Sequence, residues 1–252
     1  MLKLRIMPTL LYKDPTLVKG IGFDSWRRVG SLLQAVKVYN MREVDELVFV
    51  DITASAEGRR PDFALVDDFA DECFMPLTVG GGVRTTDDIR DLLHVGADKI
   101  VINTSAVEHP EIISDGAARF GSQCIVVSID YRQHEDGTRE VFTRSGTTAT
   151  GLDPIAFASR VADLGAGEIL LTSVDRDGTM TGYDCETIKA VVDAVKIPVI
   201  ASGGAGNYEH MYEVIMKAGA GAVAAASIYH FTEQTPLEAK KYLASKGIHT
   251  RV

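Results

Sequence analysis

The sequence predicts an α/β chain of the (β/α)8 barrel class, a single domain over 1–252 built as a twofold half-barrel repeat. Three observations carry that expectation. Short β-branched runs alternate with longer segments of helical period, the pattern of successive βα units around a buried parallel sheet. Eight such runs occur in 252 residues, the size at which this barrel closes. The two halves of the chain also resemble each other at a nearly constant offset.

The runs are LRIMPTL at 4–10, ELVFVDI at 46–52, PLTVG at 76–80, KIVIN at 99–103, CIVVSID at 124–130, EILLTS at 168–173, IPVIA at 197–201 and GAVAAA at 221–226. Helix boundaries fall between them. Ser31 opens an apolar-periodic stretch, Asp153-Pro154 supplies a cap followed by a proline suited to a first helical turn, and Gly96, Gly165 and Gly219 follow helix ends. After the fifth run, residues 131–145 carry Asp136-Gly137 as a turn signal and predict a two-stranded flap. The repeat aligns EVDELVFVD at 43–51 with GAGEILLTS at 165–173, Gly81-Gly82 with Gly203-Gly204, and GADKIVINTS from Gly96 with GAGAVAAAS from Gly219, at offsets of 122 or 123 residues. Duplication of a four-unit half-barrel explains this spacing. Solenoid periods of about 20 to 50 residues do not.

Composition narrows the function classes. Lys and Arg number 26 against 35 Asp and Glu, a formal charge of -9, which is the wrong sign for broad binding to nucleic acid or anionic membranes. An anionic ligand must therefore be held locally. Cys73, Cys124 and Cys185 are odd in number and lack C-x-x-C spacing, so the expected setting is reducing and cytoplasmic, without a disulfide framework or zinc knuckle. The first residues lack a signal-peptide core, and no stretch reaches the length of a membrane span. The six histidines fall in helices or outer loops, so no metal is assigned and no cofactor is expected.

Barrel chemistry sits at the C-terminal strand ends. Gly81 and Gly82 follow the third run and Gly203 and Gly204 the seventh, each leading into a helix where backbone N–H groups suit phosphate. Asn103, Thr104 and Ser227, one run later, complete two anion cradles. A ligand with a phosphate at each end would stretch across the mouth. Asp51, Asp130, Asp175 and Asp177 are strand-end carboxylates; the plain alternative for Asp51 and Asp175 is loop fixing. Asp130 is the sharpest acid/base candidate, because it ends an unbroken apolar run where a carboxylate must face the mouth or be buried at high cost. Thr172, Asp51 and Asp177 are candidate substrate-binding residues. At the opposite face Arg5, Glu46, Lys99 and Glu168 begin the first, second, fourth and sixth runs. They predict an ion-pair ring on the axis, read either as a structural plug or as a gate.

The segments DELVFVDITAS, TVGGGV, GADKIVINTSAVEHP, FGSQCIVVSID, GAGEILLTSVDRDGT, TGYDCE and IASGGAG resemble those of the cyclase subunit of imidazole glycerol phosphate synthase, over nearly the whole chain. The resemblance implies a barrel that receives ammonia from a glutaminase partner on its bottom face. At the top face it implies use of that ammonia on a bisphosphorylated phosphoribulosyl formimino carboxamide ribonucleotide. It assigns Arg5, Glu46, Lys99 and Glu168 to the ammonia gate, Gly82, Asn103, Thr104, Gly204 and Ser227 to phosphate, Asp130 to one catalytic acid, and Lys19 to the lysine of a flexible first loop.

One position departs from the family pattern. The first strand of the family ends in Pro, Cys, Leu, Asp, and that aspartate is its other catalytic acid; this chain reads Pro8-Thr9-Leu10-Leu11. Leucine cannot transfer a proton. Lys13-Asp14-Pro15 also replaces Lys-Asp-Gly, and a fixed-φ proline restricts loop closure. With Leu11-Tyr12 and Glu72-Cys73-Phe74-Met75-Pro76, this resembles the divergent paralogues encoded with surface-polysaccharide genes, whose barrel hands ammonia to an ATP-dependent enzyme building an amide or amidine on a sugar. The alternatives are a working cyclase of histidine biosynthesis, with Asp51 or Asp177 replacing the absent acid, and a sugar isomerase of the related half-barrel type.

Overall fold

β-Branched and aliphatic residues alternate so that each barrel strand turns one set of side chains to the axis and the other to the helices. The computed structural model describes residues 3–251; Met1, Leu2 and Val252, inside the expected 1–252 domain, lie outside the described residues. In chain order the strands are β1 (Arg5–Lys13), β2 (Thr16–Ile21), β3 (Asp24–Gly30), β4 (Leu47–Asp51), β5 (Leu77–Gly80), β6 (Lys99–Ile102), β7 (Ile125–Gln133), β8 (Arg139–Thr143), β9 (Thr148–Ala149), β10 (Glu168–Ser173), β11 (Val199–Ser202) and β12 (Ala222–Ala225). Eight of them pair in parallel in the cycle β1, β4, β5, β6, β7, β10, β11, β12 and back to β1. This is a closed (β/α)8 barrel. All eight expected runs lie in it, each within a few residues of its predicted bounds.

The helices are α1 (Leu32–Met41), α2 (Phe63–Ala70), α3 (Thr86–His94), α4 (Thr104–Glu108), α5 (Glu111–Phe120), α6 (Pro154–Asp163), α7 (Cys185–Ala194), α8 (Tyr208–Ala218), α9 (Ser227–Phe231) and α10 (Pro236–Ser245). Local chemistry sets their ends. Asp153 accepts from the Ile155 and Ala156 amides with Pro154 at the first position of α6, and Thr85 with Asp88 and Thr235 with Glu238 close reciprocal capping boxes on α3 and α10. Ser31 precedes α1, but its side chain makes no capping bond. Gly219 ends α8 in the left-handed conformation.

Two apolar layers result. Ile6, Leu10, Leu47, Leu77, Ile100, Ile125 and Ile169 point outward to pack against helix residues such as Ile89, Leu92, Val161 and Ile188, each buried aliphatic contributing roughly 1.5–3 kcal/mol. Met7, Val48, Val101, Val126, Leu170, Ile200, Ala222 and Ala224 fill the barrel itself. Met7 and Ala222 are fully buried, so the axis between the two faces is packed with apolar side chains.

Two excursions rise above the mouth. The expected flap forms: β7 runs on to Gln133, turns through Asp136-Gly137 and returns as β8, with the Thr138 amide and hydroxyl both donating to Asp136. A short third strand, β9, adds to it. The segment after β1, expected as a flexible loop, is instead an ordered hairpin. β1 continues to Lys13, turns at Asp14-Pro15 and pairs with β2, which pairs with β3 through two bulges. Among the described residues no helix is long and apolar enough to cross a membrane.

Candidate functional site

The repeat becomes geometric at the two glycine loops. Gly81 and Gly203 follow β5 and β11 with φ of +104° and +87°. A Cβ on Gly81 would lie 2.2 Å from the Asp51 carbonyl oxygen, and one on Gly203 would lie 2.5 Å from that of Ser173. Asp51 and Ser173 are themselves repeat partners ending β4 and β10. Only glycine permits this left-handed backbone pressed against the neighbouring strand. One strand further, Asn103-Thr104 and Ala226-Ser227 lead into the one-turn helices α4 and α9. Gly81, Gly82, Asn103, Thr104, Gly203, Gly204 and Ser227 all line one cavity, which encloses about 1120 Å³ including the solvent at its opening. The Ser227 hydroxyl is buried with no hydrogen-bond partner.

Register pairs Leu11 with Val50 and Asp130 with Thr172, while Asp51 and Ser173 each sit one residue further on. Leu11 and Asp130 therefore occupy corresponding positions in the two half-barrels, and both line the cavity. Asp130 is 8% exposed. Its carboxylate accepts from the Ser128 hydroxyl at 3.1 Å and from the Asn103 amide at 3.3 Å. Burial pushes its pKa up to about 7, against the opposing pull of the Ser128 and Thr172 hydroxyls and with a further push from the charge of Asp177. A carboxyl poised there can give or take a proton near neutrality. The Asn103 amide also donates to the carbonyls of Ser128 and Phe142 at 3.2 and 3.3 Å, so it orients β7 and the flap.

Lys19, on β2, is 2% exposed and ion-paired with Asp177. The Gly22 amide donates to the Asp177 carbonyl at 2.8 Å and Arg132 donates to the Gly22 carbonyl at 3.3 Å. The hairpin is thereby latched across the mouth, with Phe23 and Trp26 on the cavity wall. Asp51 is spent on its own loop: one oxygen accepts from the Thr53 amide and hydroxyl and the Ala54 amide at 2.9–3.1 Å, and the other meets Arg59 at 3.2 Å. Asp175 likewise ties the flap through Arg132 and the Gln133 amide. Loop fixing describes both. His230 lies on a helix as expected, α9, where burial and the charge of Lys19 lower its pKa to about 4, keeping its imidazole neutral.

At the other end of the axis Arg5 reaches Glu46 at 2.8 Å and Glu168 at 3.0 Å, while Lys99 reaches Glu46 at 2.9 Å and Glu168 at 3.1 Å. The four side chains close a ring of alternating charge, and the Thr78 hydroxyl adds a 2.6 Å bond to Glu46. Residues 5–235 match the sequence model of the histidine biosynthesis protein family.

The chain belongs to that family. Membership points to an enzyme-related, cyclase-type barrel, and thirteen positions named from the sequence (Leu11, Lys19, Asp51, Gly81, Gly82, Asn103, Thr104, Asp130, Thr172, Asp177, Gly203, Gly204, Ser227) line one cavity of this histidine biosynthesis family member, whereas Asp175, named with them, does not. Sequence reasoning missed Thr9, Phe23, Trp26, Ser55, Ser128, Ser145 and Ser202 on the same wall. Ser128 was findable, since it lies two residues before Asp130 on β7, and Ser202 directly precedes the named glycine pair. Phe23 and Trp26 reach the cavity only because the hairpin folds back. Among the described residues no group of three His, Cys, Asp or Glu is placed to hold a metal ion.

Proposed function

We propose that this chain is the barrel subunit of a glutamine-dependent complex, taking ammonia from a glutaminase docked on its bottom face and delivering it at the top for amide or amidine formation on a surface sugar by an ATP-dependent enzyme. The observation that carries the reading is Leu11 at the position corresponding to Asp130. A paired acid and base cannot operate across this mouth, and losing one typically removes about 10²–10⁴-fold of rate. Both glycine loops keep backbone suited to phosphate, so a bisphosphorylated molecule or free phosphate remains the expected ligand at Gly82 and Gly204. The ring of Arg5, Glu46, Lys99 and Glu168 sits where a gate would. Beside it at the same end, Met41 and Phe74 are 76% and 83% exposed, with the Asn40 amide bonded to Glu72 and Phe74 to hold that loop out. Large apolar side chains left in water favour a protein partner there.

The second reading, a working cyclase of histidine biosynthesis, is favoured by the poise of Asp130 alone. Asp51 is committed to Thr53, Ala54 and Arg59, and Asp177 to Lys19, so neither is a free replacement acid. The deciding experiment supplies excess ammonium and the ribonucleotide substrate of the cyclase to the wild-type chain and to Leu11→Asp. Wild type should turn over at least about a hundredfold more slowly than the variant. A wild-type kcat in the ordinary enzyme range of about 1–10³ s⁻¹ would reject delivery in favour of cyclisation.

A further inference from the structure

Closing a sheet into a barrel removes its edges, so the free edges here belong to the excursions above the mouth. The flap ends in β9, which is two residues long. β3 differs. It spans seven residues, pairs only with β2, and no backbone-to-backbone bond joins its outer side to another element among the described residues. It carries Arg27 and Arg28, both exposed and, among the described residues, in no ion pair. In a chain of formal charge -9, two adjacent arginines outnumber the one carboxylate of the strand, Asp24, and reverse the local sign. Ile21, at the hairpin tip, is 54% exposed, and Trp26 on β3 lines the cavity.

We propose that the outer edge of β3 docks an acidic extended segment of a partner protein by strand addition, seating that partner over the cavity mouth. Main-chain bonds to the open edge give affinity and side-chain charge selects the partner. A second copy of this chain is disfavoured in the antiparallel registers that set Arg27 and Arg28 against their own counterparts. A partner seated here seals the mouth, and ammonia that escapes into water is protonated and loses its nucleophilic lone pair. Identifying the partner as the ammonia acceptor rests on the delivery reading above; the docking edge does not.

The test uses the full chain and a blocked eight-residue peptide alternating Glu and Val, with its Lys counterpart as control. Trp26 is the only tryptophan, so its fluorescence reports on β3 directly, and amide exchange over Asp24–Gly30 locates the contact. The Glu peptide should bind and protect these amides, the Lys peptide should bind at least tenfold more weakly, and R27E/R28E, shown folded by circular dichroism, should reverse the preference. Absence of binding at millimolar peptide, binding without protection of β3, or indifference to R27E/R28E overturns the proposal. So does preferential binding of an oligonucleotide or an anionic lipid vesicle, or dimerisation through β3. Peptide docking together with uncoupled glutamine hydrolysis would count against delivery alone.

Discussion

Leu11 and Asp130 share a register position and have opposite chemistry, and most of the site's behaviour comes from the acid that remains. Asp130 holds its proton to about pH 7 in the folded chain, against an ordinary value of 3.8. Between those limits the folded state binds a proton that the unfolded state has released, so stability falls as pH rises from about 4 to 7 and levels off beyond. The span corresponds to on the order of 4 kcal/mol as an upper bound. Asp130→Asn should flatten that slope, read as the midpoint of urea unfolding against pH; equal slopes in the two proteins would contradict burial of the charge. The sequence offered two outcomes for this acid, facing the mouth or buried at high cost, and the structure joins them: Asp130 lines the cavity and is itself buried. Loop fixing was one of the sequence's two readings of Asp51, equally a strand-end aspartate, and the structure takes that one: Thr53 and Ala54, close by in the chain, and Arg59 hold both carboxylate oxygens.

At the scale of elements the hairpin of β2 and β3 separates what was legible from what was not. The sequence offered Pro15 as a restriction on this segment, and the family resemblance offered a flexible loop. Order comes from outside the segment: Lys19 reaches Asp177, Gly22 bonds the Asp177 carbonyl, and Gly178 packs against Gly20 so closely that a Cβ on Gly178 would sit 2.2 Å from the Gly20 carbonyl. Lys19→Met should strip the charge partner from Asp177 and loosen the latch. Amide exchange over 16–30 should then quicken about tenfold or more while β4, β5 and β6 keep their protection. Unchanged exchange would assign the hairpin's order to its backbone bonds alone. The flap was legible because Asp136-Gly137 lies between two strand-forming runs, which makes its turn a local property.

Across the whole molecule an ion-pair ring, an apolar filling and the cavity at the mouth are stacked along one axis. A structural plug and a gate would both need that ring, and they respond differently to its disruption. Lys99→Ala leaves Glu168 held by Arg5 alone and Glu46 by Arg5 and Thr78, and should lower stability by a few kcal/mol. If the ring gates ammonia, the ratio of glutamine hydrolysed to product formed in the reconstituted complex should rise. An unchanged ratio with the complex assembled would leave these residues as barrel-closing ion pairs. Phe74→Glu, distant from the mouth, should weaken glutaminase binding at least tenfold by titration while leaving ligand affinity at the glycine loops untouched; equal affinity would remove Phe74 from the docking face.

Family resemblance placed Leu11 and Lys19 in the cavity; the sequence by itself determined the barrel, its two halves and the strand-end and glycine-loop positions. Each of these is periodic or local: strand runs alternate in and out, and a repeat carries its loops with it. Even β12, whose alanines are poor strand formers, was legible through its match to β6. The sequence likewise placed four charges at the bottom of four strands. Tertiary structure alone decided which of the named acids is free. Asp130 remains open to the cavity while Asp51, Asp175 and Asp177 are taken by Arg59, Arg132 and Lys19. Arg59 shares the loop of Asp51, whereas Arg132 and Lys19 lie 43 and 158 residues from their acids. A hydrogen bond or ion pair across such a separation exists only once the barrel has closed and brought its loops together, so no local pattern could encode it.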